Sequence, residues 1–305
     1  MERRKVLRVA TFAALATLVV VAETHAQEWR QFRAARQVND ITALDVEILY
    51  TAGRLDLSAS DALLLYDARL RYDGSRFEPY RNWRVEGDRG RLRLAVPSVT
   101  DGSGDGATVR FDDWDVEFDL ESFPRNGSEL GDLSLRLHPD VPTALKVGAG
   151  ASKTRLELGG LTLTELELMT GASDASLRFG SPNGTRMETL TMKSAAAEFS
   201  ALELGNARFE HLEFSSLIGE ARLDFSGDWE EDATVEIEMA VGELKIEVPA
   251  EIGVRIERQS LLTSFAADGF ERSGDTYTSP NWDSATVRLD IELDAGLVAV
   301  EIERH

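Results

Sequence analysis

Most of this chain after residue 42 alternates apolar and polar residues with a period of two. Examples are "TVEIEM" at 234–239, "ELKIEV" at 243–248 and "TVRLDIEL" at 286–293. Gly, Asp, Asn, Ser and Pro separate these stretches, and no long helical period follows them. Since successive side chains of a β-strand point to opposite faces, this pattern predicts an all-β protein.

A second signal is a repeat of about 23 residues. The stretches "VGAGASKTRLEL" at 147–158 and "LMTGASDASLRF" at 168–179 each place small residues before an alternating strand. Starting at Gly150 and as far as Gly242, every 23rd residue of the sequence is small. The residue six positions after each of them is apolar. This column predicts a buried ladder of Leu156, Phe179, Leu202, Phe225 and Val248. The predicted turn glycines are Gly53, Gly150, Gly171, Gly219, Gly242 and Gly296.

A strand repeat of this length favours a β-solenoid, a β-helix-like stack with about 23 residues per coil. A β-sandwich of short hairpins is the alternative that the alternation alone would also allow. We expect an amino-terminal β portion over residues 43–141 and the solenoid repeats over 142–305. A polar lead-in, in which a short helix is one option, covers 27–42.

Residues 1–26 have the pattern of a secretory signal peptide. Four basic residues precede an apolar run, and Thr24 and Ala26 supply the small residues of a cleavage site. The run from Val9 to Ala22 is shorter than the roughly 20 residues that span a bilayer. We therefore expect export to the periplasm or the exterior, with no transmembrane segment in the mature chain.

Composition limits the partners and the means of stabilisation. The chain has no cysteine, so disulfides cannot stabilise it and no lipid can be attached to a cysteine. The formal net charge is −21 at pH 7, which disfavours nucleic acid and anionic lipid. Cations, cationic peptides and neutral glycans stay open as partners.

The residues that usually carry chemistry form no recognisable motif. After the leader the histidines are His138, His211 and His305, and their spacing is not that of metal ligands. Nucleophile elbows, phosphate-binding loops and dinucleotide fingerprints are missing from the sequence. We expect no catalytic residues, no cofactor and no metal. Because carboxylates are plentiful and β-helices host polysaccharide enzymes, a polysaccharide-active enzyme stays open as the alternative.

Two local features have a binding interpretation and a plainer one. Near "DGSGDG", four carboxylates could gather calcium ligands, but the loop lacks a closing glutamate, so a flexible turn is preferred. These are Asp101, Asp105, Asp112 and Asp113. The stretch "GDWEED" at 227–232 has the same two interpretations, and a flexible turn is again preferred. Four of the five tryptophans could stack on sugars, but we expect them to close the ends of the core. They are Trp83, Trp114, Trp229 and Trp282.

The run "LHPDVPTALKVGAGASKTRLELGGLTLTELELMTGASDASLRF" at 137–179 resembles the toastrack (LiaF-like, adhesin-like) domains of bacterial cell-envelope proteins. The stretch "TAGRLDLSASDALLLYDARLRYDGSRFEPYRNW" at 51–83 resembles the amino-terminal portion of the same family. The resemblance implies an exported β-solenoid-like domain that acts in envelope stress response, ligand sensing or adhesion. It implies no catalytic residues, and on this resemblance we expect a component of the cell envelope, a glycan or a protein, as partner.

Overall fold

The computed structural model describes residues 28–60, 63–97, 131–259 and 264–305. These residues form seventeen strands. The strands are β1 Trp29–Gln37, β2 Ala43–Ala59, β3 Leu64–Asp73, β4 Tyr80–Glu86, β5 Arg89–Val96, β6 Gly131–Leu137, β7 Thr143–Glu157, β8 Leu163–Thr170, β9 Asp174–Arg178, β10 Met187–Leu202, β11 Phe209–Asp224, β12 Ala233–Val248, β13 Gly253–Gln259, β14 Ser264–Ala267, β15 Glu271–Ser273, β16 Thr276–Thr278 and β17 Arg288–Arg304.

The protein is all-β, as the alternation predicts. In β12, Val235 and Ile237 are buried while Glu236 and Glu238 are exposed. Alternate residues of the sequence therefore lie on the inner and the outer face of the strand. One short 3-10 helix, Leu204–Ala207, is the only helical element in the described part of the chain. In the described residues no helix is long and apolar enough to span a membrane.

Long strands lie side by side in parallel and form a stack that we call the rack. Its members in spatial order are β2, β7, the pair β8 and β9, β10, β11, β12 and β17. Two adjacent parallel strands need a connection that leads the chain back to the end at which the first strand began. Each further strand of the rack therefore requires one such connection.

The step length varies, in contrast to the predicted constant 23. Leu156 pairs with Leu177, an offset of 21, and Leu177 pairs with Ala201, an offset of 24. The next pairings have offsets of 22 to Leu223 and 23 to Ile246. The connections between strands differ in length, so a single repeat length does not describe the coils.

Each long strand of the rack bends near its middle. Leu217 of β11, Ala240 of β12 and Gly296 of β17 have no cross-strand partner within the rack, and pairing resumes on both sides. Beyond the bend the neighbours change, because the first part of β17 pairs with β13 and the last part with β14. The rack therefore has two sheets that share their strands. We call them the leading sheet, before the bend, and the trailing sheet, after it.

The core lies between the two sheets. Pairing in the trailing sheet aligns one row of buried side chains across seven strands. The row consists of Leu57, Leu156, Leu177, Ala201, Leu223, Ile246 and Ile302. Buried residues in contact in this way bring most of the hydrophobic stabilisation of such a stack.

The predicted ladder meets this row at Leu156 alone. Phe179, Phe225 and Val248 are buried, each two residues after a member of the row, whereas Leu202 follows Ala201 directly and is partly exposed. A displacement of two residues keeps a side chain on the same face of a strand, and a displacement of one moves it to the other face. Four of the five predicted residues are therefore inside, but they do not form one aligned row.

Antiparallel strands extend the rack at its amino-terminal end. The polar lead-in contains strand β1 and not a helix, because its residues pair with β3 from Trp29 to Gln37. β3 in turn pairs with β6, and β4 pairs with β5. The lead-in is thus part of the sheet structure.

Candidate functional surface

An exposed apolar ridge follows the bends of three adjacent strands. Its members are Leu217 and Ile218 of β11, Val241 of β12 and Leu297 of β17, with exposed fractions of 61%, 58%, 41% and 68%. Ile218, Val241 and Leu297 are direct cross-strand neighbours. Large apolar side chains that are exposed together usually mark an interaction surface.

A first groove runs along the leading-sheet side of this ridge. Its volume is about 350 Å³, and its walls include Leu217, Glu238 and Asp294. Ser194 also lines it; this residue is 5% exposed, and its Oγ has no hydrogen-bond partner among the described residues. Ser194 pairs with Ser216, which is also buried, so this hydroxyl belongs to the inner face of the strands and not to the accessible surface of the groove.

A second groove runs along the trailing-sheet side of the ridge and has a volume of about 650 Å³. Asp174, Glu198, Glu220 and Glu243 line it and occupy one cross-strand row. Glu301 is the fifth acid of its wall. Like charges on directly opposite positions destabilise a sheet, so this row opposes folding.

The basic groups of the second groove are already paired. Arg222 donates to Glu247 with Nη2–Oε2 at 2.6 Å, and this hydrogen bond, the largest cause, raises the pKa of Arg222. Lys245 contacts Glu303 at 2.8 Å and Glu247 at 3.2 Å, and hydrogen bonds to both raise its pKa. Both groups stay charged at neutral pH, and their charges are matched by neighbouring carboxylates.

Carboxylates also dominate the outer face of the leading sheet at this end. Cross-strand pairing aligns Glu213, Glu236, Glu292 and Glu257, and all four are exposed. Alternation in the sequence gives such residues an outward position, but the four-strand alignment depends on the register and could not be read from it.

The predicted turn glycines behave differently from one another. Gly53, Gly219 and Gly242 have positive φ angles of 120°, 144° and 138°. Gly150 lies within β7 and Gly296 at the bend of β17, and their φ angles are not in this region. Gly171 directly follows β8, and its N–H donates to the carbonyl of Ala149.

Gly242 is held in the closest approach between strands. An added Cβ would lie 1.9 Å from the carbonyl oxygen of Gly219, its partner on β11. A side chain is therefore excluded both by the φ angle and by the neighbouring backbone. These two glycines follow the ridge residues directly and fix the shape of the bend.

A buried carboxylate holds three arginines at the other end of the rack. The side chain of Asp67 is 1% exposed, and it accepts hydrogen bonds from Arg69 Nη2 and Arg136 Nη2, both at 2.8 Å. Arg33 Nε lies 3.4 Å away. Burial alone would raise the pKa of Asp67, but the hydrogen bonds from Arg136 and Arg69 outweigh it and lower the pKa. This cluster ties β1, β3 and β6 together.

Two of the tryptophans pack at the margin of the core. The ring of Trp83 lies 5.6 Å from that of Tyr66, and the ring of Trp229 lies edge-on at 5.6 Å from Phe209. The Trp229 Nε1–H donates to the carbonyl of Phe225 at 2.7 Å. These contacts fit the core interpretation better than a sugar-stacking face.

Trp282 lies beneath a guanidinium, because Arg255 Cζ is 4.7 Å from the ring centroid. Trp114 lies outside the described residues, and so do all four predicted calcium ligands, Asp101, Asp105, Asp112 and Asp113.

His138, His211 and His305 take part in separate hydrogen bonds. His211 Nδ1 lies 2.6 Å from Thr234 Oγ1, and His138 Nδ1 accepts from the backbone N–H of Asp140 at 3.2 Å. The backbone N–H of His305 donates to Val248. Across the described ranges, no group of three or more His, Cys, Asp or Glu residues is arranged to hold a metal ion.

Sequence reasoning missed the ridge, although a signal for it exists. In "MAVGEL" the alternation fails at Ala240 and Val241, and the same failure occurs in "SLIGEA" and "DAGLVAV". Adjacent apolar residues cannot both point inward from one strand. Such interruptions therefore mark positions where apolar side chains face outward.

A family model described as the N-terminal domain of toast_rack, DUF2154, matches residues 23–191, which is more than half of the chain. Among curated proteins none matches the sequence. A solved structure of a candidate cell adhesion protein from Clostridium sporogenes is 17% identical, with a TM-score of 0.46, over 91% of this chain and 100% of that one. A candidate adhesin from Parabacteroides merdae is 10% identical, with a TM-score of 0.39, over 91% and 96% of the two chains.

Proposed function

Because this chain belongs to the family defined by the N-terminal domain of toast_rack, we propose that it is an exported, non-catalytic binding protein of the bacterial cell envelope. In this role it is an adhesin-like or ligand-sensing module that recognises a glycan or protein. The leader-like residues 1–26 support export, and the charge of −21 argues against nucleic acid as partner.

We also interpret the rack as a β-solenoid whose coils differ in length. The four central steps of the rack, from β7 to β12, show parallel pairing at offsets between 21 and 24 residues, which supports this interpretation. A solenoid presents equivalent outward positions at the strand spacing of roughly 4.8 Å, which suits it to extended partners.

The observation that carries the binding role is the apolar ridge between two acid-lined grooves. Isolated exposed apolar residues are common, but Ile218, Val241 and Leu297 are consecutive cross-strand neighbours. Their exposure exceeds what folding requires, since most exposed positions elsewhere in these strands carry charged residues.

The proposal is tested by producing the full chain in a bacterial host with a carboxy-terminal tag. We expect the protein in the periplasm or the medium, with Gln27 as its first residue, and retention of the purified protein on isolated envelope fractions. Purified protein incubated with a panel of polysaccharides should release no reducing ends. Cytoplasmic location with an intact leader, or turnover, would contradict the proposal.

The second groove favours one other function, that of a polysaccharide-active enzyme. It has several carboxylates on one sheet face, and glycoside hydrolysis needs a pair of them. Release of reducing ends that is abolished by Glu220→Gln but kept in Glu236→Gln, an exposed acid outside this groove, would establish this function instead.

A further inference from the structure

We propose that the ridge and its two grooves bind a basic amphipathic peptide segment that lies along the stacking direction of the rack. The inference rests on the proposed binding role and names the chemistry of the partner. It places the apolar side of the segment on Leu217, Ile218, Val241 and Leu297, and the basic side chains in the grooves.

The dimensions fit a short helix. The partly buried Ala196 of β10 pairs with Ile218, so the cross-strand row of the ridge extends over four strands, β10, β11, β12 and β17. Three strand spacings give about 14 Å, which a helix covers with about ten residues. An amphipathic helix of this length carries three or four apolar residues on one side, enough to cover the ridge.

The acidic residues beside the ridge favour a bound segment with a positive charge. Glu238 and Asp294 lie on one side of the ridge, and Glu220 and Glu243 lie on the other. These four carboxylates have no ion pair with any residue in the described ranges, whereas Arg222 and Lys245 are paired with Glu247 and Glu303. Lysine or arginine on both flanks of the apolar stripe would match the acids.

The same acids disfavour two other occupants of the ridge. An anionic membrane would be repelled, and a second copy of this chain would place acids against acids.

The experiment measures binding of a labelled fourteen-residue helical peptide, with leucines on one face and lysines on both flanks, by fluorescence anisotropy at low and physiological salt. We expect saturable binding that weakens with salt. Val241→Ser and Leu297→Ser should each weaken it at least tenfold, and Glu238→Gln with Glu243→Gln should weaken it and reduce its salt dependence.

Matched controls distinguish binding at the ridge from non-specific binding. Leu63 is 88% exposed and remote in the fold, so Leu63→Ser should leave the affinity within twofold. A peptide of the same composition without an amphipathic pattern should bind at least tenfold more weakly. Equal binding of the two peptides, or unchanged binding by the ridge variants, would overturn the inference.

Two further outcomes would show that the ridge binds a different partner. Binding to phosphatidylglycerol vesicles that Leu297→Ser abolishes, or a dimer in sedimentation that Leu297→Ser dissociates, would also overturn it. Retention of the protein on envelope fractions without peptide binding would reject this inference alone. Loss of envelope retention would reject the proposed function.

Discussion

Replacing Gly242 with alanine should destabilise the protein by about 2–6 kcal/mol. A φ angle of 138° costs a residue with a side chain about 1–3 kcal/mol. The new Cβ would also lie 1.9 Å from the Gly219 carbonyl oxygen, and relieving such an overlap in a packed region costs about 1–3 kcal/mol more. Two strands of the rack would have to separate locally.

Gly269→Ala is the matched control. Gly269 has a φ angle of 83°, but nothing lies within 4 Å of its added Cβ, so only the backbone cost of about 1–2 kcal/mol should appear. Equilibrium urea unfolding followed by tryptophan fluorescence gives both values. If the two variants lose the same stability within about 0.5 kcal/mol, the close approach of β11 and β12 at the bend is refuted.

Three further predictions concern the core, the charges and calcium. Phe225→Ala should cost about 3–5 kcal/mol and the exposed Glu236→Gln no more than about 0.5 kcal/mol in urea unfolding; equal losses would remove Phe225 from the core. Asp67→Asn should cost about 1.5–3 kcal/mol at pH 7 through weakened hydrogen bonds to arginine. Because the folded pKa of Asp67 lies below the unfolded value of about 3.9, this difference should be complete above that pH and vanish as pH falls through the folded pKa; a pH-independent difference in Tm would contradict the reasoning. Millimolar calcium should leave the Tm unchanged, and a rise of several degrees that Asp105→Ala abolishes would show that the aspartates near residue 101 bind it.

The alternation in the sequence predicts the strands and their inner faces because period two is a local property of the chain. Register is not local, since it depends on the length of each returning connection. From Leu156 the row continues to Leu177 after 21 residues and to Ala201 after a further 24. A constant step of 23 therefore reaches Phe179, which is on the correct face, and Leu202, which is not.

The candidate surface was partly predictable. Outward Glu and Asp residues follow from the alternation, and an acidic surface follows from the charge of −21. Which acids become neighbours depends on the register, so the row through Glu198, Glu220 and Glu243 could not be predicted. The sequence did not determine the secondary structure of the lead-in, because β1 is stabilised by its pairing with β3, which is remote in sequence.

The bend determines where the ridge lies, but it does not determine that the ridge is apolar. In β12 the buried positions include Val235, Ile237 and Met239 before the bend, and Leu244 and Ile246 after it, so the alternation shifts by one residue. That shift lets one strand contribute to both sheets, and it places the residues at the bend outside whatever their type.

Folding requires small or flexible residues at such a corner, and Gly219 and Gly242 meet that need. It does not require Leu217, Ile218, Val241 or Leu297 beside them, where polar residues would avoid the cost of exposed apolar surface. Acids on both sides limit association between copies of the chain, so the apolar side chains stay accessible. An apolar stripe that is protected from its own copies but left open to a basic partner is the arrangement that the proposed peptide segment requires.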